Sequence, residues 1–223
     1  MWYVIGTEQF LHLSSKPQTE HLKIWLKPRL FKNKIDWRFS FNVCLISFSR
    51  IVENEKDENF VHSSGVSSVQ RGSAYHEVFQ ELNFKNLVDI ENQIDEIVRN
   101  KNFSNLVDSL KIKKIVKMRI FAEISKAKYI FTEKEFFAKL PTDVIEKTKA
   151  NGEFLLQGVI DLIAIFDDHF VILDYKTGKM NDEKMKNYTL QLSLYSNIAE
   201  KIYNIKPSKK VLCLIDEEKI IEI

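Results

Sequence analysis

The spacing of apolar residues along this chain changes period several times, and each change marks an expected element. Within Ser67 to Leu82, Tyr75, Val78, Phe79 and Leu82 recur at i, i+3, i+4 and i+7, which predicts a helix with one buried stripe. Ile90, Ile94, Ile97 and Val98 repeat that spacing within 88–100, and the stretch Leu106 to Ile124 continues it, so two packing helices are expected. The period then shortens. Tyr129 to Leu140 (YIFTEKEFFAKL) reads as a strand ended by Pro141, with Glu133 and Glu135 on one face. Gln157 to Lys176 (QGVIDLIAIFDDHFVILDYK) contains two apolar, β-branched runs separated by the polar pair Asp167-Asp168, the pattern of a β-hairpin. Thr177-Gly178-Lys179 makes a turn, and Asp182 to Tyr203 returns to helical spacing. Pro207 is expected to end that helix, and Lys210 to Asp216 (KVLCLID) to form a last strand.

The first 65 residues show no comparable rhythm. Trp2 to Leu13 reads as a short strand or helix, Pro17 and Pro28 interrupt the stretch after it, and Ile35 to Phe48 alternates as a strand would. The acidic, polar run Glu53 to Asn59, followed by His62 to Ser68, reads as a loop or linker. The expected organisation is an N-terminal extension of uncertain structure over 1–66 and an α/β domain over 67–223.

Composition narrows the class. At 223 residues and 44% hydrophobic content the chain can bury a sizeable core. No run approaches 18 uninterrupted apolar residues, and MWYVIGTEQF has neither the basic n-region nor the cleavage site of a signal peptide, so no membrane association is expected. Cys44 and Cys213 are far apart and form no CxxC pair, which argues against a disulfide framework, a zinc site or an iron–sulfur cluster and fits a reducing cytoplasm. Lys and Arg number 33 against 31 acidic residues, so net charge alone points to no polyanionic partner. Lys101, Lys111, Lys113, Lys114, Lys117, Arg119, Lys126 and Lys128 form a local cluster that could track a phosphate backbone. A solvated helix face accounts for most of these lysines. No Gly-x-x-x-x-Gly-Lys-Ser/Thr loop is present, so the chain carries no nucleotide-driven motor of its own.

The hairpin carries the chemistry. If Asp167 and Asp168 form a two-residue loop, Phe166 faces His169, and counting outward sets Asp161 opposite Asp174. A three-residue loop would shift this register by one. Directly opposed residues on one face have Cβ atoms roughly 4.5–5.5 Å apart, where like charges repel unless a cation lies between them. Lys176, two residues beyond Asp174, returns to the same face. Hard oxygen ligands with open positions suit Mg²⁺ or Mn²⁺, and the layout fits phosphodiester cleavage. Asp-x-Lys alone is a weak signal, since Asp182 to Lys184 repeats it and Glu217 to Lys219 approximates it, and a solvated strand face is the plain alternative. His76 lies at the edge of its helix's apolar face, where a lone histidine is more often structural than a ligand. Gly72, one turn earlier, could admit a neighbouring backbone. Tyr188, Gln191 and Tyr195 share one stripe of the last helix, by default as the rim of a core.

In order, Arg71-Gly-Ser-Ala-Tyr-His76, Glu133-Lys-Glu-Phe136, Gln157-Gly-Val-Ile-Asp161, Leu173-Asp-Tyr-Lys-Thr177 and Gln191-Leu-Ser-Leu-Tyr195 resemble the nuclease domain of the RecB/AddA branch of the PD-(D/E)XK superfamily, from about Arg71 to Asp216. The resemblance implies a restriction-endonuclease-like α/β core, a mixed central sheet flanked by helices, over 67–223. By the same resemblance, Asp161 and Asp174 would bind metal with His76, Lys176 would be the catalytic lysine, and Gln191 and Tyr195 would orient the site or contact DNA. Glu133 would be an accessory acid, with Glu135 a neighbouring candidate. The implied function is a Mg²⁺-dependent (or Mn²⁺-dependent) deoxyribonuclease, an exonuclease of DNA recombination and repair, partnered by a helicase subunit of an AddAB/RecBCD-like complex. Related branches hold an iron–sulfur cluster with cysteines that this chain lacks, which favours the cluster-free branch. The competing expectation is a noncatalytic DNA-binding or assembly module that keeps the fold.

Overall fold

The computed structural model describes residues 3–5, 45–47, 67–141 and 153–223. The chain forms two units, one of residues 1–53 with 135–159 and one of residues 54–134 with 160–223. In the first, β1 (Tyr3–Ile5) lies antiparallel to the later part of β3 (Tyr129–Pro141), and β2 (Leu45–Ser47) lies parallel to the early part of β4 (Glu153–Ile165). Only three residues each of the expected Trp2–Leu13 and Ile35–Phe48 elements, both strand, are described. The 53–66 loop and Cys44 lie outside the described residues.

The second unit holds the helices α1 (Ser68–Glu81), α2 (Ile90–Asn100), α3 (Ser109–Val116) and α4 (Arg119–Ile124), then β5 (His169–Lys176), α5 (Asp182–Tyr203), β6 (Lys206–Leu214) and β7 (Lys219–Glu222). The strands are ordered β3-β4-β5-β6-β7. β4 and β5 are antiparallel, β5 and β6 parallel with α5 as the crossover, and β6 and β7 antiparallel, which makes the sheet mixed as expected.

Both faces of the sheet are covered, which is why its central strands read as nearly continuous apolar runs. On one face Leu162, Ala164, Val171, Leu173, Tyr175, Val211 and Cys213 join a core with residues of α1 to α4, among them Tyr75, Phe79, Ile94, Ile112 and Phe121. Residues of the opposite parity, Ile163, Ile165, Phe170, Ile172, Leu212 and Leu214, are buried as well, and α5 lies on β5 and β6 with Leu192, Ile198 and Ala199 buried.

Three local expectations are corrected. Leu106 to Ile124 is two helices, because Met118 is extended (φ −66°, ψ 148°), although no Gly, Pro or polar cap in the sequence marks the break. The last helix is ended by Asn204 in the left-handed region (φ 54°), and Pro207 instead lies near the start of β6. A further strand, β7, comes after a turn at Ile215–Glu218 and pairs with β6.

Candidate active site

The hairpin has the two-residue turn that its sequence implies. The Phe166 N–H donates to the His169 carbonyl at 2.9 Å, and ladder pairs run from Ile165–Phe170 to Leu162–Leu173. One step further that register brings Asp161 opposite Asp174. There the ladder gives way, and the Tyr175 N–H donates to Asp161 Oδ2 at 2.8 Å. Asp161 and Asp174 are 8% and 5% exposed, so both carboxylates have lost most of their water.

Helix α1 delivers His76. Ser67 and Gln70 form a capping box that fixes where the helix begins, with both reciprocal hydrogen bonds at 3.1 Å. Phe79 then stacks on Tyr175 of β5 with ring centroids 4.0 Å apart, which fixes the rotation of the helix against the sheet. His76 is left half-buried at the end of the strands. Its Nε2 is 3.2 Å from the Tyr175 carbonyl, and its Nδ1 is 3.2 Å from Glu133 Oε1 and 3.6 Å from Asp161 Oδ2. A carbonyl and carboxylates only accept, so both ring nitrogens must carry protons to satisfy these contacts. Burial opposes that charge, but the hydrogen bond to Glu133 and the nearby Asp161 carboxylate outweigh it and raise the imidazole pKa.

Glu133 reaches this cluster through an unusual backbone. Its φ of 47° lies in the left-handed region, which a non-glycine residue seldom occupies inside a strand and which stores local strain. The period-two argument that put Glu133 and Glu135 on one face therefore does not carry through this position. Glu133 is half-buried against His76, and Glu135 is exposed.

Ligand atoms of His76, Glu133 and Asp161 all lie within 4.8 Å of one another. Asp174 stands outside this trio and faces Lys176, whose Nζ donates to Oδ1 at 3.1 Å and lies 2.8 Å from Oδ2 without hydrogen-bond alignment. Asp174 Oδ2 is thus buried with no hydrogen-bond donor. Burial first, and the Asp174 charge second, push the Asp161 pKa up to about 7. Burial works against the Lys176 ammonium, but Asp174 and Asp161 overcome it and hold its pKa above the ordinary lysine value. On α5, Tyr195 is buried and hydrogen-bonded to Gln191, with Asp174, Lys176 and Asp161 close enough to act on its hydroxyl.

This donor set fits a hard divalent cation. It offers carboxylate oxygens and one imidazole, a carboxylate oxygen lacks a donor, and two opposed carboxylates repel each other. A group missed in the sequence is Tyr188, whose ring lies under the Lys176 ammonium. Its place on the stripe of Gln191 and Tyr195 was the available signal. Gly72 does sit at a close approach, though to a side chain: a Cβ there would meet Thr177 Oγ1 at 3.4 Å.

Residues 44–222 match the PD-(D/E)XK nuclease superfamily, and this chain, with its mixed sheet between helices, belongs to that superfamily. It is similar to an ATP-dependent helicase/nuclease subunit of Streptococcus pyogenes serotype M18 (strain MGAS8232), at 26% identity over 222 residues, or 97% of this chain and 17% of the relative. The protein of the same name from serotype M5 (strain Manfredo) is also 26% identical, over 97% of this chain and 18% of the relative. The chain therefore spans less than a fifth of the length of these curated relatives.

Proposed function

We propose that this chain is a divalent-metal-dependent deoxyribonuclease, an exonuclease of DNA recombination and repair, and that residues 67–223 form its nuclease domain. The observation that carries the reading is the convergence of His76, Glu133 and Asp161 on one point, beside Asp174 with Lys176 paired to it. His76, Glu133, Asp161 and Asp174 would hold Mg²⁺ or Mn²⁺, with the Tyr175 carbonyl at the same edge. When bound, such an ion supplies an acidified water and neutralises charge on the scissile phosphate.

The protein's own groups do the rest. Asp161 and Asp174, set opposite each other by the hairpin, provide paired negative charge where a cation is needed. His76 gives up one ring proton to ligate, which links metal uptake to pH. Lys176 orients the attacking water or offsets charge that develops on the phosphate. Gln191 and Tyr195 line the α5 side and orient the site or contact the strand. Among the described residues no helix is long and apolar enough to cross a membrane. The proposed DNA substrate supports a cytoplasmic location for the chain. The helicase/nuclease relatives support a helicase as the partner.

End-labelled linear and closed circular DNA, each incubated with Mg²⁺ and with chelator, test the reading. We expect Mg²⁺-dependent loss of the linear substrate, and a drop on the order of 10³-fold or more in Asp174→Ala with the fold retained. Equal digestion by mutant and parent would refute it. DNA binding without uptake of Mg²⁺ or Mn²⁺ in calorimetry would favour the noncatalytic module instead.

A further inference from the structure

We propose that Tyr188 is a positioning residue that holds the Lys176 ammonium in place through its ring face; the proposal rests on the nuclease reading above for its effect on cleavage, though not for the contact itself. Lys176 Nζ lies 4.7 Å from the centroid of the Tyr188 ring, well inside the range of a cation–π contact. The ammonium is also paired with Asp174, and its side chain is 17% exposed. Two groups from different elements therefore grip one charge: Asp174 from the strand that carries Lys176, and Tyr188 from the second turn of α5.

The two grips respond differently to a cation. Asp174 is a candidate ligand, and a divalent ion that draws on its oxygens weakens their attraction for Lys176 and adds repulsion of its own. The ring is not a competing ligand for a hard ion, so its hold on the ammonium persists. Tyr188 would thus keep Lys176 aimed at the reacting phosphate when Asp174 is engaged elsewhere. The contact uses the face of the ring, so phenylalanine should keep the hold on the ammonium and leucine should lose it.

The full chain, its Tyr188→Phe and its Tyr188→Leu variants test this. With ¹³C-labelled lysine, the Lys176 Cε signal, assigned by its loss in Lys176→Arg, should show an upfield ring-current shift in parent and Y188F, lost in Y188L. In Mg²⁺-dependent cleavage, Y188L should lose about tenfold in kcat with little change in KM, and Y188F should recover most of it. Thermal stabilisation by added Mg²⁺ should match in all three, which separates a misplaced lysine from a damaged metal site. Parent-like Lys176 shift or parent-like kcat in Y188L overturns the proposal, as does Y188F falling as far as Y188L. A parent that does not cleave overturns the nuclease reading, and the Cε shift then still decides the contact.

Discussion

Asp161, within β4, and Asp216, just past the end of β6, are both half or more buried in the same unit, and their surroundings push them in opposite directions. Asp216 is saturated with donors. Arg71 grips both of its oxygens, Lys111 Nζ approaches at 3.2 Å, and the Gly178 N–H donates at 2.6 Å from a residue whose φ of 85° suits glycine. Its carboxyl is held well below the usual range, chiefly by the hydrogen bond to Arg71. Asp161 has one backbone donor, a histidine shared with Glu133, and a second carboxylate opposite; its pKa rises to about 7. A carboxylate with a full set of donors serves the fold, and one short of positive charge is a place for a cation.

The largest effect should therefore come from Asp161. Asp161→Asn removes the repulsion with Asp174 while keeping an oxygen for the Tyr175 N–H. Cleavage should fall on the order of 10³-fold, and the melting temperature without metal should stay level or rise by a few degrees, a gain of ~1 kcal/mol. Linkage gives the sign: an acid whose pKa is raised on folding costs stability as pH climbs from its unfolded value near 4 through about 7, so the asparagine gains most above pH 7. Added Mg²⁺ should raise the melting temperature of the parent and not of the variant. Clear destabilisation of D161N at pH 8 would make Asp161 a structural residue like Asp216.

Asp216→Asn should do the reverse. It loses the paired contact with Arg71 and the attraction of Lys111, and loosens the segment after Lys176 from α1. These groups are partly exposed, so the expected cost is only ~1–2 kcal/mol, a fall of several degrees in melting temperature at pH 7. Because folding lowers this pKa, the stabilisation is present above the unfolded value and disappears as pH drops through the folded one. The gap between parent and variant should begin to close only below about pH 4 and keep narrowing as pH falls further. A gap that stays constant with pH would mean the loss is one of packing rather than charge.

How much the sequence disclosed depends on how local each interaction is. The Asp167-Asp168 turn sets the β4–β5 register, so the opposition of Asp161 and Asp174 needs no tertiary information. Ser67 and Gln70, with the Tyr75, Val78, Phe79 stripe, likewise define α1. The approach of His76 to Glu133 was legible only through resemblance, because it depends on the Phe79–Tyr175 stack between distant segments. Nothing in the sequence signals the left-handed backbone of Glu133, since a glutamate carries no preference for it. The break at Met118 preserves helical spacing, with Ile112, Ile115, Val116, Ile120, Phe121 and Ile124 all buried, so periodicity runs through it unchanged.

The lysine-rich helices give the smallest expected effect and the sharpest contrast with the carboxylate site. In sequence they form a local cluster that could track a phosphate backbone, with a solvated helix face as the account of most of the lysines. In the structure Lys113 pairs with Asp95 at 2.6 Å, Lys114 with Glu218 at 2.9 Å, Lys117 with Glu91 at 2.5 Å and Lys128 with Asp167 at 2.8 Å. Lys101 likewise meets Glu77 and Glu81. Each of these five positive charges is accompanied by a negative one, so these lysines offer a polyanion little net attraction. A lysine that neutralises a B-DNA phosphate contributes about 0.9 to the slope of log K against log salt. Replacing Lys113, Lys114 and Lys117 together by glutamine should leave that slope unchanged and cleavage within about twofold of parent. A slope reduced by roughly 2–3 would show that these lysines leave their acidic partners to bind DNA, and that the bound strand runs along the helical layer as well as past the carboxylates.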